Sequence, residues 1–188
     1  MDRRVARTRK QLREALIELL KVKSVQDITV CELADKVEIS RGTFYLHYKN
    51  VFDMLETVEQ ELLDRLTAAV REAPMGTRER PFSMLLPCYR FFAEEAEMAA
   101  VLMGAYGDSG FFRRAAKIIK ARSLSDWKVL FPELTPQETE YLFAFIFGGS
   151  LHMLEGWVTG GQKDSPEKMA EYTHRLVADG IALYGARA

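Results

Sequence analysis

Cysteine is nearly absent from this chain, with two in 188 residues, Cys31 and Cys88. They fall in separate helical stretches, and neither has a CxxC partner or a nearby histidine. That excludes a disulfide framework and a cysteine-based metal site, and leaves two buried free thiols as the expectation. Histidine is scarce too: His47, His152 and His174 stand apart, each without catalytic company in the surrounding sequence. No HExxH, GxSxG, CxxC or P-loop pattern occurs, so an all-α enzyme has little support and no cofactor or metal is expected. No uninterrupted apolar run approaches the ~18 residues of a membrane span. The N-terminus is Arg-rich rather than apolar, which places the protein in the cytoplasm with no membrane partner. Period-two alternation and hairpin turn pairs are missing as well, so no sheet is expected. With 48% apolar residues to build a core, an all-α fold is what remains.

Charge is unevenly spread. Residues 1–50 carry 11 Lys+Arg against 7 Asp+Glu, a balance of +4, whereas the rest carry 15 against 20, a balance of −5. A basic first third on an acidic body suits a protein that presents one end to a polyanion. Within that third, Thr29 and Glu32 have the spacing of a capping box and open a helix over 30–37 that turns Leu33, Ala34 and Val37 to one face. After a corner at Glu38-Ile39, Ser40 is a good N-cap for a second helix, and Ile39 with Phe44 has the spacing of a hydrophobic staple. Phe44 and Tyr48, four apart, point inward to pack. Arg41, Thr43, Tyr45, Leu46 and His47 are left outside, and Gly42 leaves room for a phosphate or base edge at the helix start. These side chains suit phosphates and major-groove edges. The local pattern by itself is equally that of a capped αα-corner with solvated polar residues, since such corners also occur in proteins that bind no DNA.

The run Ile39-Ser40-Arg41-Gly42-Thr43-Phe44-Tyr45-Leu46-His47-Tyr48-Lys49-Asn50 resembles the signature of the TetR family of transcriptional regulators, and the specific part of the likeness covers about 8–55. The resemblance implies an N-terminal three-helix helix-turn-helix domain over 1–50. A long helix would join it to a helical regulatory and dimerisation domain over 51–188. By the same resemblance Thr43, Tyr45 and His47 touch DNA and Lys49 lies near phosphate. With the cap hydroxyls of Thr29 and Ser40, and with Arg41, Gly42 and Leu46, they make up the candidate DNA-binding set. The implied protein is a homodimer on an inverted-repeat operator in double-stranded DNA, most simply a repressor released by a small apolar or aromatic effector. Control by a protein partner is the alternative. Two departures stand out: Glu38 replaces the common Gly at the corner, requiring a non-Gly residue in a left-handed conformation, and Val51 stands where a Lys commonly grips phosphate.

The remaining elements follow from caps and breaks. A mobile arm is expected over 1–6, with Arg3 and Arg4 able to reach phosphate, and a helix over 9–21 capped by Thr8. Asn50 caps a long helix that runs to about Glu72 and stops at Ala73-Pro74-Met75-Gly76. One helix is expected over 81–98, kinked at Pro87, then one over 99–106 and one over 111–129. Thr135-Pro136-Gln137-Glu138 opens a helix to about Val158, and Ser165-Pro166-Glu167 opens a last one to about Tyr184. The run 141–153 is apolar nearly all round, which calls for burial on more than one side, against the core and against a second copy. Its glycines, Gly148, Gly149 and Gly156, suggest close helix approach. The body is rich in Phe, Tyr, Trp and Met, which suits an apolar pocket. Phe91, Met98, Met103, Tyr106, Phe112, Tyr141, Phe145 and His152 are the candidate lining.

Overall fold

The computed structural model describes residues 3–104 and 109–185, and among them all regular structure is helical. The order is α1 (Arg3–Leu20), a 3-10 turn (Val25–Asp27), α2 (Val30–Lys36), α3 (Arg41–Tyr45), α4 (Val51–Glu72), α5 (Leu85–Glu94), α6 (Ala96–Met103), α7 (Ser109–Leu130), α8 (Pro136–Thr159) and α9 (Pro166–Gly185). The described residues fall into two compact units, one within Met1–Leu63 and Glu97–Phe111, the other within Asp64–Ala96 and Phe112–Ala188. The chain passes from the first to the second inside α4.

In the first unit, α1 buries Leu12, Ala15, Leu16, Ile17 and Leu20 on one side. They form a core with Ile28, Leu33, Ala34, Phe44 and Tyr48. Helix α1 starts at Arg3, earlier than the expected N-cap at Thr8. The Thr8 hydroxyl donates to the Arg4 carbonyl at 3.0 Å, a bond back along the helix that a Ser or Thr makes inside a helix rather than at its start. Nothing in 3–8 breaks a helix, so the mobile arm expected over 1–6 is helical from Arg3 on, while residues 1 and 2 lie outside the described residues. Asn50 Oδ1 accepts from Asp53 N at 2.8 Å and caps α4. Val51, the residue in place of the familiar Lys, is buried and belongs to this core.

The second unit is held mainly by α5 against α9, with α8 touching both. A buried hydrogen bond of 2.7 Å joins Tyr89 Oη on α5 to Thr173 Oγ1 on α9, and Trp157 of α8 packs edge-on against the same tyrosine ring. Phe82, Trp127, Phe131, Phe143 and Ile146 form its aromatic-rich core. The single kinked helix expected over 81–98 is two helices. Pro87 is the third residue of α5, in the first turn where a missing N–H breaks no bond, and the chain turns at Glu95, between α5 and α6. The short helix expected over 99–106 is α6, begun at Ala96. The turn after α4 requires glycine at position 76: a Cβ there would lie 2.7 Å from the Arg80 carbonyl oxygen. Helix α8 opens with the expected capping box of Thr135 and Glu138 and the proline at its first position. It ends at Gly160, and Gly161 follows in the left-handed region, φ +83°.

Candidate functional site

The candidate DNA-binding surface is built from two capped helix starts. Thr29 Oγ1 accepts from Glu32 N at 3.2 Å, and Glu32 Oε2 accepts from Thr29 N at 2.9 Å. Lys23 and Thr29 together hold the Glu32 carboxyl down at about 2, so it stays ionised and keeps the cap closed. Glu38 takes the left-handed conformation, φ 57°, at the corner, at roughly 1 kcal/mol for a non-Gly residue. The Ile39 N–H then returns to the Ala34 carbonyl at 2.9 Å. Ser40 Oγ accepts from Thr43 N at 3.0 Å and sits 2.9 Å from the Thr43 hydroxyl. Phe44 is wholly buried and Tyr48 nearly so, and both rings are locked under the helix.

The opposite face is open. Arg41, Gly42, Tyr45, Leu46 and Lys49 are exposed, while Thr43 and His47 are half-buried. Leu46, 84% exposed, has no packing reason to be apolar and suits contact with an outside apolar group such as a thymine methyl. A Cβ on Gly42 would meet Ser40 Oγ alone, at 3.6 Å, so the fold does not demand glycine there. Regular helix ends at Tyr45. The N–H groups of His47 and Tyr48 both bond the Phe44 carbonyl, so the tail continues in tight turns. Arg9 of α1 stacks over the Tyr48 ring at 5.8 Å. Burial first, and then the Arg9 charge, lower the His47 pKa, so the imidazole is neutral at neutral pH. Eight of the nine candidates thus share one surface on and after the Ser40 cap, and Thr29 stands at the start of α2.

The second unit holds a cavity of about 80 Å³. From α5 and the segment before it come Phe82, Met84, Leu85, Cys88, Tyr89 and Phe92; α7 gives Phe112, Ile119, Ser123 and Trp127; α8 gives Phe143, Phe147, Ser150 and Leu151. Burial pushes the Cys88 thiol up to about 12, so it is a neutral, unreactive part of the wall. Of the candidate lining residues, Phe112 is in this wall. Phe91 is buried on α5 beneath the Arg65 guanidinium, and Met98 and Met103 belong to α6 in the first unit. Tyr141, Phe145 and His152 are exposed on α8, and Tyr106 lies outside the described residues. Phe92 and Trp127, part of the same aromatic wealth, do line the cavity. Both belong to apolar stripes that composition alone cannot divide into wall and plain core.

The profile of a TetR-type transcriptional regulator C-terminal region matches residues 79–179, more than half of the chain. The chain belongs to the TetR family of transcriptional regulators. It is 27% identical over 175 residues to an uncharacterized HTH-type transcriptional regulator, YxbF, of Bacillus subtilis (strain 168), a match covering 89% of this chain. The chain spans 44% of that relative's length. Two solved structures have the same fold. One is a transcriptional regulator of the TerR/AcrR family from Aquifex aeolicus VF5, with TM-score 0.67 and 16% identity, covering 94% of this chain and 99% of that one. The other is FadR from Bacillus subtilis in complex with stearoyl-CoA, with TM-score 0.62 and 17% identity, covering 91% and 97%. TetR-family proteins are regulators rather than enzymes. The family assignment rests on the body, residues 79–179, while the sequence likeness rests on 8–55, so the two meet from opposite ends of the chain.

Proposed function

We propose that this TetR-family regulator is a homodimeric repressor that reads an inverted-repeat operator through the face of Arg41, Gly42, Thr43, Tyr45, Leu46, His47 and Lys49. Ser40 and Thr29 would offer their helix starts to phosphate. Residues 1–50 act as the DNA-binding domain and 51–188 as the regulatory and dimerisation domain, in the cytoplasm. The observation that carries this reading is the contrast on one short element: Phe44 is wholly buried, whereas Tyr45 and Leu46 beside it are 57% and 84% exposed. A large apolar side chain held out on a capped helix start is suited to contact beyond the chain.

Dimerisation is supported by α8. Among the described helices it has the length and the mean hydropathy, 1.2 over its most apolar window, that would suffice for a membrane span. Yet it opens on an ordinary capping box, buries Phe143, Ile146, Leu154, Trp157 and Val158 on one side, and leaves further apolar residues on one open face. Tyr141 and Phe145 are 66% and 82% exposed, and added Cβ atoms on Gly148, Gly149 and Gly156 would meet nothing within 4 Å. Leu176 and Tyr172 of α9 are exposed as well. A second copy offers the same surface, and two-fold pairing buries both at once.

A small ligand in the α5–α7–α8 cavity is the effector in this reading. The small size of the cavity favours the second reading to a degree, since control by a protein partner needs no pocket. Selection of bound duplexes from a random pool is the test: an enriched inverted repeat is expected, and recovery of no sequence preference would refute sequence-specific reading. A thermal-shift screen of metabolites separates the two modes of control, because a ligand bound only by the native state raises its melting point.

A further inference from the structure

We infer that the α5–α7–α8 cavity takes a neutral, largely apolar ligand carrying a hydrogen-bond acceptor oxygen, a ketone, ester, lactone or amide carbonyl, for which Trp127 Nε1 is the donor and Ser150 Oγ a second donor of the wall. This rests on the reading of the cavity as the effector site and names the chemistry of what enters it. Trp127 is 2% exposed and Ser150 half-buried, and both are part of the wall. Trp127 Nε1 and Ser150 Oγ are both buried with no hydrogen-bond partner among the described residues. An orphaned buried donor costs about 1–3 kcal/mol, so native proteins rarely keep one without a use. The other tryptophan shows the usual solution: Trp157 Nε1 donates to the Asp164 carbonyl at 2.9 Å.

The remaining polar groups of the wall sharpen the class. Ser123 Oγ has only the Met84 sulfur, at 3.8 Å, a weak acceptor. The Tyr89 hydroxyl is engaged with Thr173. An indole N–H can only donate, so the partner must be an acceptor. No Asp, Glu, Lys, Arg or His lines the cavity among the described residues. A carboxylate or ammonium ligand would be buried there without a counter-charge, at several kcal/mol. Size adds a condition. A cavity of about 150 Å³ accepts benzene, so the ~80 Å³ here must swell by side-chain movement, for which the unbranched Met84 and the leucines of the wall are suited.

The test uses the full chain and three probes of one skeleton: acetophenone, ethylbenzene and benzoate. Binding is followed by thermal shift and by the two indole N–H resonances of ¹⁵N-labelled protein. Acetophenone is expected to move the Trp127 indole resonance while the Trp157 resonance, already bonded, stays in place; ethylbenzene is expected to leave the Trp127 N–H unbonded. In Trp127→Phe, which keeps a ring in the stack, acetophenone should bind ~3–10-fold more weakly and ethylbenzene equally well, the worth of one net hydrogen bond. Ser150→Ala, the smaller change, gives the same comparison if Trp127→Phe fails to fold. Equal losses for both probes, an unmoved Trp127 resonance, or benzoate binding as tightly as acetophenone would overturn the inference. Ethylbenzene binding with no such discrimination overturns the ligand class alone, whereas failure of all three probes to bind overturns the effector-site reading along with it.

Discussion

Tyr45 and His47 are two positions apart, yet the fold treats them differently. Tyr45 is exposed and packs one edge on Phe44, with ring centroids 5.7 Å apart, so its hydroxyl is held outward on a fixed ring. Tyr45→Phe removes that hydroxyl and little else. His47→Ala removes a half-buried ring from the same surface. Each should weaken operator binding by roughly 1–3 kcal/mol while leaving the melting point within a few degrees. Unchanged affinity in both variants, titrated at one salt concentration, would show that this surface is not the reader. His47 adds a pH signature. Burial and Arg9 depress its pKa below 6.5, so in the free protein its stabilising contribution is present above that value and is lost as pH falls. A DNA phosphate nearby acts in the other sense and raises the pKa. Operator affinity should therefore strengthen as pH is lowered below 6.5, and His47→Gln should flatten that slope in fluorescence-anisotropy titrations. The features legible in sequence from local chemistry were the Thr29–Glu32 box, the Ser40 cap and the inward Phe44 and Tyr48; the left-handed Glu38 was legible only through the family resemblance.

Arg122 of α7 is the element-scale counterpart, and no sequence pattern announced it. Its Nε donates to both oxygens of Asp126, at 3.0 and 3.1 Å. Its two terminal nitrogens donate to the Val70, Arg71 and Ala73 carbonyls at 3.0, 3.3 and 2.9 Å. One guanidinium thus satisfies the open carbonyls at the end of α4, favourably placed for the helix dipole. That Arg122 and Asp126 face the end of α4 depends on how helices distant in sequence pack. The same reason explains Pro87, whose effect turned on where α5 begins, and the cavity wall, which takes residues from three helices. Arg122→Met should cost about 3 kcal/mol in urea unfolding, because Asp126, 6% exposed, loses its partner along with the three carbonyls. A loss below ~1 kcal/mol would mean that water replaces the clamp. Arg122 also directly precedes Ser123, which lies one helical turn before Trp127, and both of those are in the cavity wall. A ligand that shifts α7 therefore pulls on the end of α4 through a direct hydrogen-bonded link.

At the scale of the whole molecule, in the proposed function the basic first third meets DNA and the open face of α8 and α9 pairs with a second copy. Gly149→Glu places a charge on that face without touching the fold, since a side chain there meets nothing within 4 Å. Monomers are expected in sedimentation, and a dimer of unchanged stability would place the interface elsewhere. Such a dimer would in turn set the conditions for control. Two reading heads engage successive major grooves on one side of DNA only about one helical turn, ~34–36 Å, apart. Each head continues covalently into α4, whose far end Arg122 holds beside the cavity wall. A ligand and an operator that prefer different populations of the same dimer must weaken one another by the same factor. Anisotropy titrations of operator with and without effector, and calorimetric titrations of effector with and without operator, should therefore give one common ratio. A disulfide engineered across the two heads, at the separation that binds operator, should keep operator affinity and remove the ratio from both measurements. If the cross-linked dimer still releases DNA when effector is added, the signal does not run through head separation, and the route from Trp127 through Arg122 to α4 ends short of the DNA.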